Sequence, residues 1–214
     1  MKRGKFITFE GPEGSGKSTQ IRRLARRLRL AGRKVLVTRE PGGTPTGEAI
    51  RGILQHDHAG ELIAPRAELL LFEASRAQLV QRVIAPALER GLWVLCDRFI
   101  DSTTAYQGYG RGFELATVLA INDFAIEDCV PDLTFLLDVM IKTGFARLDL
   151  RNAERHAVHD RFERESKAFH NRVRTGYLKL ARRWPKRMRV VNASRGMKEI
   201  EDDVWSTVRN ALCR

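Results

Sequence analysis

Gly11-Pro-Glu-Gly-Ser-Gly-Lys17-Ser18 carries glycine, lysine and hydroxyl at every fixed position of the pattern GxxxxGK[ST]. On its N-terminal side stands the short apolar run Phe6-Ile-Thr-Phe9, rich in strand formers. On its C-terminal side, from Ser18, Ile21, Leu24, Ala25, Leu28 and Ala31 recur at the spacing of one buried helix face, and Gly32 stands where that helix would stop. Strand, glycine loop and helix in this order predict a phosphate cradle. Glycines let backbone N–H groups curve around an anion where side chains would block them, and the helix N-terminus adds partial positive charge. Lys17 is placed to bridge two phosphates of a nucleoside triphosphate, and the Ser18 hydroxyl to ligate Mg²⁺.

The alternation continues outward from that loop. Val35 to Val37, Trp93 to Cys96, Leu133 to Leu137 and Arg189 to Val191 read as further strands. Residues 47–56, 66–90, 113–128, 142–152, 161–183 and 197–212 read as helices, with a kink or break at Pro86. Strands this apolar, separated by helices, predict an α/β protein of the P-loop NTPase fold: a five-stranded parallel sheet flanked by helices, in one domain over residues 1–214. Ligands then bind beyond the carboxyl ends of the strands.

The 214 residues are 43% hydrophobic and 30% charged, an ordinary globular balance. No apolar window is long enough to span a membrane, and the run after the basic N-terminal residues is too short for a signal peptide. Cys96, Cys129 and Cys213 form no CxxC pair, which fits reduced cytoplasm. The net charge of +12 suits an enzyme of polyanionic nucleotides, and Arg22, Arg23, Arg26, Arg27 and Arg29 read as a solvated helix face. His56, His58, His156 and His159 read as loop histidines, because no cysteine or carboxylate completes a zinc set with them.

The acceptor side is read from other segments. Asp97-Arg98 ends the third strand on the edge of the P-loop, where an aspartate can hold Mg²⁺ and an arginine can grip a phosphate bidentately. Ser102 to Gly112 mixes hydroxyls, an amide, aromatics and glycines, the chemistry of a pocket that reads a base and a sugar. Phe72 and Arg76 are i,i+4 and share a helix face, so that one can stack on a pyrimidine and the other bond its carbonyl.

These blocks, in order along the chain, resemble bacterial thymidylate kinase. To the P-loop are added Thr38-Arg-Glu-Pro-Gly-Gly-Thr44, Leu71-Phe-Glu-Ala-Ser-Arg76, Asp97-Arg98, Ala105-Tyr-Gln-Gly108 with Arg111-Gly112, Pro131-Asp-Leu133 with Leu137-Asp-Val139, and Asp160-Arg-Phe-Glu163. The resemblance implies phosphorylation of dTMP to dTDP by ATP and Mg²⁺. It implies that Phe72 stacks on thymine, Arg76 bonds its carbonyl, and Thr103 and Gln107 line the base and sugar pocket. Tyr106 would lie under the deoxyribose and exclude a 2′-hydroxyl, Arg98 would bind the acceptor phosphate with Arg51 as helper, and Glu13 would face the 3′-hydroxyl. ATP would be held by Gly11, Pro12, Glu13, Gly14, Ser15, Gly16, Lys17, Ser18 and Thr19 with Arg147, and Mg²⁺ by Ser18 and Asp97. Lys17, Arg98, Glu13 and Arg151 are the expected catalytic residues.

A mobile lid over residues 144–163 and a homodimer are also implied. No P-loop position carries arginine, so the resemblance is to the type whose lid arginines act, here Arg147, Arg151 and Arg161. Asp149 stands where that pattern has another arginine, residues 152–159 form a longer connection than is usual, and Met140-Ile141-Lys142 replaces a proline-containing start. The rival readings are a kinase of another nucleoside monophosphate, a DNA-binding P-loop ATPase and a nucleotide switch. The blocks around Phe72 and Tyr106 favour dTMP, with no nucleic-acid or membrane partner.

Overall fold

The structure is a computed structural model that describes residues 3–56, 61–156 and 158–212. His58, Cys213 and Ala157 of the expected lid lie outside the described residues. Five strands, β1 (Phe6–Glu10), β2 (Val35–Arg39), β3 (Trp93–Asp97), β4 (Leu133–Asp138) and β5 (Met188–Asn192), form one sheet in the order β2-β3-β1-β4-β5, and every pairing is parallel. The sheet is the one expected from the strand–helix alternation. The order changes direction beside β1, so β1 and β3 end together. This brings the P-loop next to Asp97 and Arg98, at the carboxyl edge where such sheets bind ligands.

The alternation within β1 explains both its burial and its chemistry. Ile7 and Phe9 face one layer, packed with Leu24 and Leu28 of α1 (Lys17–Leu30) and Val204 and Val208 of α9 (Met197–Leu212). Phe6 faces the other, with Leu79, Ile84 and Leu88. On that second side Thr8 and Glu10 are also buried, and each is satisfied by a partner: Thr8 Oγ1 lies 2.7 Å from Thr134 Oγ1, and Glu10 is bonded at the site described below. Burying one leucine of α1 contributes about 2 kcal/mol. Ala31 lies past the end of the helix and is exposed, although its spacing placed it on the buried face.

The remaining helices are α2 (Pro45–Gln55), α3 (Pro65–Leu79), α4 (Ala85–Glu89), α5 (Ile100–Thr103), α6 (Leu115–Ile126), α7 (Ile141–Arg155) and α8 (Lys167–Arg183). α5 lies where the sequence reading placed no helix, and three other places differ from that reading. Of the kink or break expected at Pro86, the structure shows no break: a π turn, Val80–Ile84, joins α3 to α4 just ahead of Pro86, and its wider turn is the local irregularity that a proline in a continuing helix brings. α7 runs on to Arg155, so half of the stretch read as irregular is helical. Residues 161–165 are turns rather than the start of a long helix. The Asp160 carboxylate accepts from the N–H groups of Phe162 and Glu163 at 2.9 Å each, a local turn that competes with helix, and α8 begins only after Ser166, whose Oγ accepts from Phe169 N at 3.2 Å.

Candidate active site

A cleft of about 800 Å³ opens along the carboxyl edge of the sheet. At one end is the P-loop. Its backbone bends are only open to glycine: Gly14 has φ +66°, and a Cβ there would stand 1.9 Å from the Gly144 carbonyl oxygen. Lys17 Nζ is folded into the loop, donating to the carbonyls of Gly11 and Pro12 at 3.0 Å each. Burial and the nearby Arg98 lower its pKa to about 8. At the mouth, Ser18 Oγ donates to Asp97 Oδ2 at 2.6 Å.

The centre of the cleft is a charged network around Arg98. This residue has φ +68°, an uncommon conformation outside glycine. Three bonds over-determine the turn: Arg98 N donates to Phe9 O at 2.9 Å, Phe99 N to Glu10 Oε1 at 2.8 Å, and Cys96 Sγ to Arg98 O at 3.0 Å. The guanidinium then reaches Glu13 Oε1 at 2.7 Å and Tyr177 OH at 3.2 Å. Tyr106 OH donates to the same Glu13 oxygen at 2.6 Å. Burial opposes ionisation of Glu13, but Arg98, Lys17 and the Tyr106 hydroxyl outweigh it and pull its pKa down to about 2. Behind this network Glu10 accepts from Ser102 Oγ at 2.5 Å and Tyr177 OH at 3.2 Å, and burial and Asp101 push its pKa up to about 8.

The far end is aromatic and amide-rich. Phe72 of α3 is half-buried beside Phe162, with ring centroids 5.5 Å apart. Tyr106 and Gln107 come from a second π turn, Thr104–Gly110, which continues α5. Arg76 is 1% exposed and clamped: Nε and Nη2 donate to Glu40 Oε2 at 2.9 and 2.6 Å, and Nη1 to Glu73, Thr103 and Asn122 at 2.5, 3.0 and 2.8 Å. Burial works against its charge, but Glu40 and Glu73 hold the pKa above the ordinary arginine value. Arg51 of α2 donates to Pro41 O at 2.9 Å.

Phe72, Arg76, Arg98, Thr103, Tyr106, Gln107, Arg51, Asp97, Lys17 and residues 13–19 of the loop all line this one cleft. So do Arg147 and Arg151 of α7. Gly11 and Pro12 belong to the same loop but stand behind its wall, where Lys17 bonds their carbonyls. Arg161, grouped with the lid arginines in the sequence reading, is not on the wall: its Nη2 lies 2.7 Å from Glu68 Oε2. Arg147 Nη1 donates to Ala193 O at 2.9 Å, whereas Arg151 is loosely held, 3.4 Å from Glu163. Asp149 pairs with His159 Nε2 at 3.1 Å. The sequence reading gave no role to Glu10, Glu40, Phe162 or Tyr177, and it placed Ser102 in the pocket segment without its bonds to Glu10 and Tyr177. A carboxylate closing the apolar run of β1, just before the glycine loop, was the available signal for Glu10, and Val173, Tyr177 and Leu180 at i, i+4, i+7 marked an inward face for Tyr177.

The thymidylate kinase family pattern matches residues 9–204. The chain is 52% identical over 208 residues to a thymidylate kinase of Syntrophotalea carbinolica, covering 97% of this chain and 96% of that protein. It is 49% identical to a thymidylate kinase of Deinococcus radiodurans, covering 97% and 98%. The crystal structure of thymidylate kinase from Ehrlichia chaffeensis superposes with a TM-score of 0.76 at 34% identity, over 97% of this chain and 99% of that one. With a P-loop at one end of its cleft, an aromatic and amide pocket at the other and likeness along nearly its whole length, the chain belongs to the thymidylate kinase family.

Proposed function

We propose that this protein transfers the γ-phosphoryl group of ATP to dTMP, giving ADP and dTDP, and that it acts in dTTP synthesis in the cytoplasm. The observation that carries the reading is the single cleft in which the P-loop and the Phe72–Tyr106–Gln107 pocket meet at Arg98. The loop N–H groups and Lys17 hold the β- and γ-phosphates. Phe72 stacks on thymine and the Arg76 clamp presents its remaining N–H to a base carbonyl, with Thr103 and Gln107 beside it. Arg98 and Arg51 hold the acceptor phosphate. An oxygen of that phosphate attacks the γ-phosphorus as the bond to the ADP oxygen breaks. A phosphate dianion is already a nucleophile, so the residues supply alignment and charge neutralisation rather than a general base.

Glu13, kept ionised, orients Arg98 and Tyr106 and faces the sugar hydroxyl. Arg151 neutralises charge on the transferring group. The donor set at the P-loop mouth, one hydroxyl and one carboxylate, is the oxygen chemistry that a hard cation such as Mg²⁺ would take, and Ser18 and Asp97 would hold it. Ser18 and Asp97 offer that pair 2.6 Å apart, and no group of three or more His, Cys, Asp or Glu suited to a metal occurs among the described residues. Bound there, Mg²⁺ would screen the phosphate oxygens.

The chain acts as one kinase domain, with residues 144–163 as a lid. It works as a homodimer: Leu70 of α3 and Phe124 of α6 lie on adjacent helices and are 58% and 87% exposed, an apolar surface suited to a second copy. No helix among the described residues is long and apolar enough to cross a membrane. The test is ADP release measured over a panel of nucleoside monophosphates. dTMP should exceed dUMP by about 10- to 100-fold, the worth of one methyl in an apolar pocket, and exceed dGMP by more. Equal turnover of dTMP and dGMP would end this assignment.

A further inference from the structure

Glu68 stands one helical turn before Phe72 on α3, is 1% exposed, and lies behind the cleft wall. Its Oε1 accepts from Gln107 Nε2 at 2.9 Å and from Arg111 Nε at 3.2 Å. Its Oε2 accepts from Arg111 Nη2 at 3.1 Å and faces Arg161 Nη2 at 2.7 Å. Arg111 Nη1 also meets Glu165 at 2.5 Å, so two arginines balance two carboxylates. A carboxylate this deep is tolerated only with such pairing.

Arg161 has two further bonds. Its Nε donates to Leu54 O at 3.0 Å and its backbone N–H to Gln55 O at 3.3 Å. These are carbonyls of the last turn of α2, which have no partner inside the helix, and a cation there complements the helix dipole. Gln55 Nε2 in turn donates to Asp160 Oδ2 at 3.2 Å. The end of the 144–163 segment is therefore stitched to α2, which carries Arg51, to α3, which carries Phe72, and through Glu68 to Gln107. From Arg161 the chain continues into Phe162, 5.5 Å from the Phe72 ring and 6.2 Å from the Tyr106 ring, and Glu163, which faces Arg151 at 3.4 Å.

We infer that Glu68 and Arg161 are positioning residues through which occupancy of the acceptor pocket sets the place of Arg151. The inference rests on the dTMP kinase reading above. A base seated against Phe72 and Gln107 holds Glu68, Glu68 holds Arg161, and Arg161 fixes the segment that carries Phe162 and Glu163. Coupling of this kind is reciprocal, so acceptor tightens donor binding as much as donor tightens acceptor binding.

The experiment is calorimetric titration of the full-length protein with Mg²⁺ and a non-hydrolysable ATP analogue, with and without saturating dTMP, beside dTMP turnover. In the wild type, dTMP should tighten the analogue by about 5- to 50-fold. In Glu68→Gln, which keeps an acceptor for Gln107 but loses the charge, and in Arg161→Met, the ratio should fall below about twofold, with Arg161→Lys between. The double variant should lose no more than either single one, as expected for one joint. A merely structural role would lower the melting temperature and weaken both affinities while leaving their ratio intact, and that result overturns the inference. So does a wild type that turns over dTMP without tightening the analogue, which leaves the kinase reading standing. A wild type that neither binds nor phosphorylates dTMP removes both. Should Glu68→Gln fail to fold, the two Arg161 variants decide the matter by the same ratio.

Discussion

Gly14 of the P-loop and Gly144 of α7 meet backbone to backbone: a Cβ on Gly14 would stand 1.9 Å from the Gly144 carbonyl oxygen, and a Cβ on Gly144 would stand 2.2 Å from that of Glu13. The first turn of α7 is thus seated on the P-loop. The family resemblance makes Gly144 the first residue of a mobile lid. Its contact makes it an anchor, and any movement of the segment begins beyond it.

Gly144→Ala should accordingly act at the P-loop. The added methyl meets backbone, which cannot swing aside, so overpacking should cost about 1–3 kcal/mol of stability. The displaced Glu13 carbonyl should lower kcat by roughly 10- to 100-fold. Thermal melting and steady-state kinetics check both, and a variant with wild-type kcat would show that the loop absorbs the shift.

Arg151→Ala should lower kcat by about 10³-fold, because an arginine acting mainly on the transferring phosphoryl group is worth that much, and should change dTMP affinity little. Among the described residues, Arg151 is held by long contacts to Glu163 and Asn152, a hold weak enough to yield to phosphate. Arg147 is already bonded to Ala193 O, and Arg147→Ala should act chiefly on the KM for ATP. Stopped turnover with intact dTMP binding identifies Arg151. The reverse assignment between the two would exchange the kinetic signatures.

Tyr106 separates into a ring and a hydroxyl. Its ring is packed among Phe162, Phe169 and Tyr177, and its hydroxyl holds Glu13. Tyr106→Phe should lower kcat/KM about 10-fold through loss of a charge-assisted hydrogen bond, with the deoxyribose-to-ribose preference unchanged. Tyr106→Ala opens the space and should lower that preference. Paired kcat/KM values for dTMP and its ribose counterpart separate the two effects. An unchanged ratio in Tyr106→Ala removes the ring from sugar selection.

Stability should depend on pH in a way set chiefly by one buried carboxyl group. Burial and Asp101 raise Glu10 to about 8; burial also pushes Glu40 upward, but its two bonds to Arg76 require the carboxylate form and hold that shift back, so Glu10 dominates. Above the ordinary carboxylate range the unfolded chain has released the Glu10 proton while the folded chain keeps it. Stability therefore falls as pH rises from about 5 to 8. His170, whose pKa burial lowers, works in the opposite sense near pH 6. Glu10→Gln imitates the protonated carboxyl. Its melting temperature should fall less than the wild type's across this range, by about 5 °C. Parallel melting curves for the two proteins would show that Glu10 does not carry the proton.

The fold was legible because its signals are local. The glycine loop lies between an apolar strand and a helix-spaced face, and β1, β3 and β4 are apolar runs that only a covered parallel sheet accommodates. The cleft wall was legible where residues lie close together in the chain, as with Phe72 and Arg76 or Tyr106 and Gln107. What escaped were partners supplied across long chain separations. Glu40 reaches Arg76, Tyr177 reaches Glu10 and Arg98, and Glu68 reaches Arg161, and no periodicity or spacing announces such pairs. The boundary errors have a different origin. Ahead of Pro86 a π turn carries the helix on where the proline suggested a break, and at Asp160 a carboxylate-capped turn replaces the helix that the surrounding pattern favoured.

The π turn at Thr104–Gly110 also bears on how this protein can change over evolutionary time. A π turn closes its hydrogen bonds across five residues where an α-helix uses four, so it accommodates one residue more than the helix it continues. Removing one residue would return the segment to α geometry and displace the residues within the turn itself, taking Gln107 away from Glu68. Point substitutions along this wall alter one contact at a time, whereas a single-codon deletion disrupts the cleft wall and the Glu68 cluster in one step. The segment is therefore open to drift in composition and closed to drift in length.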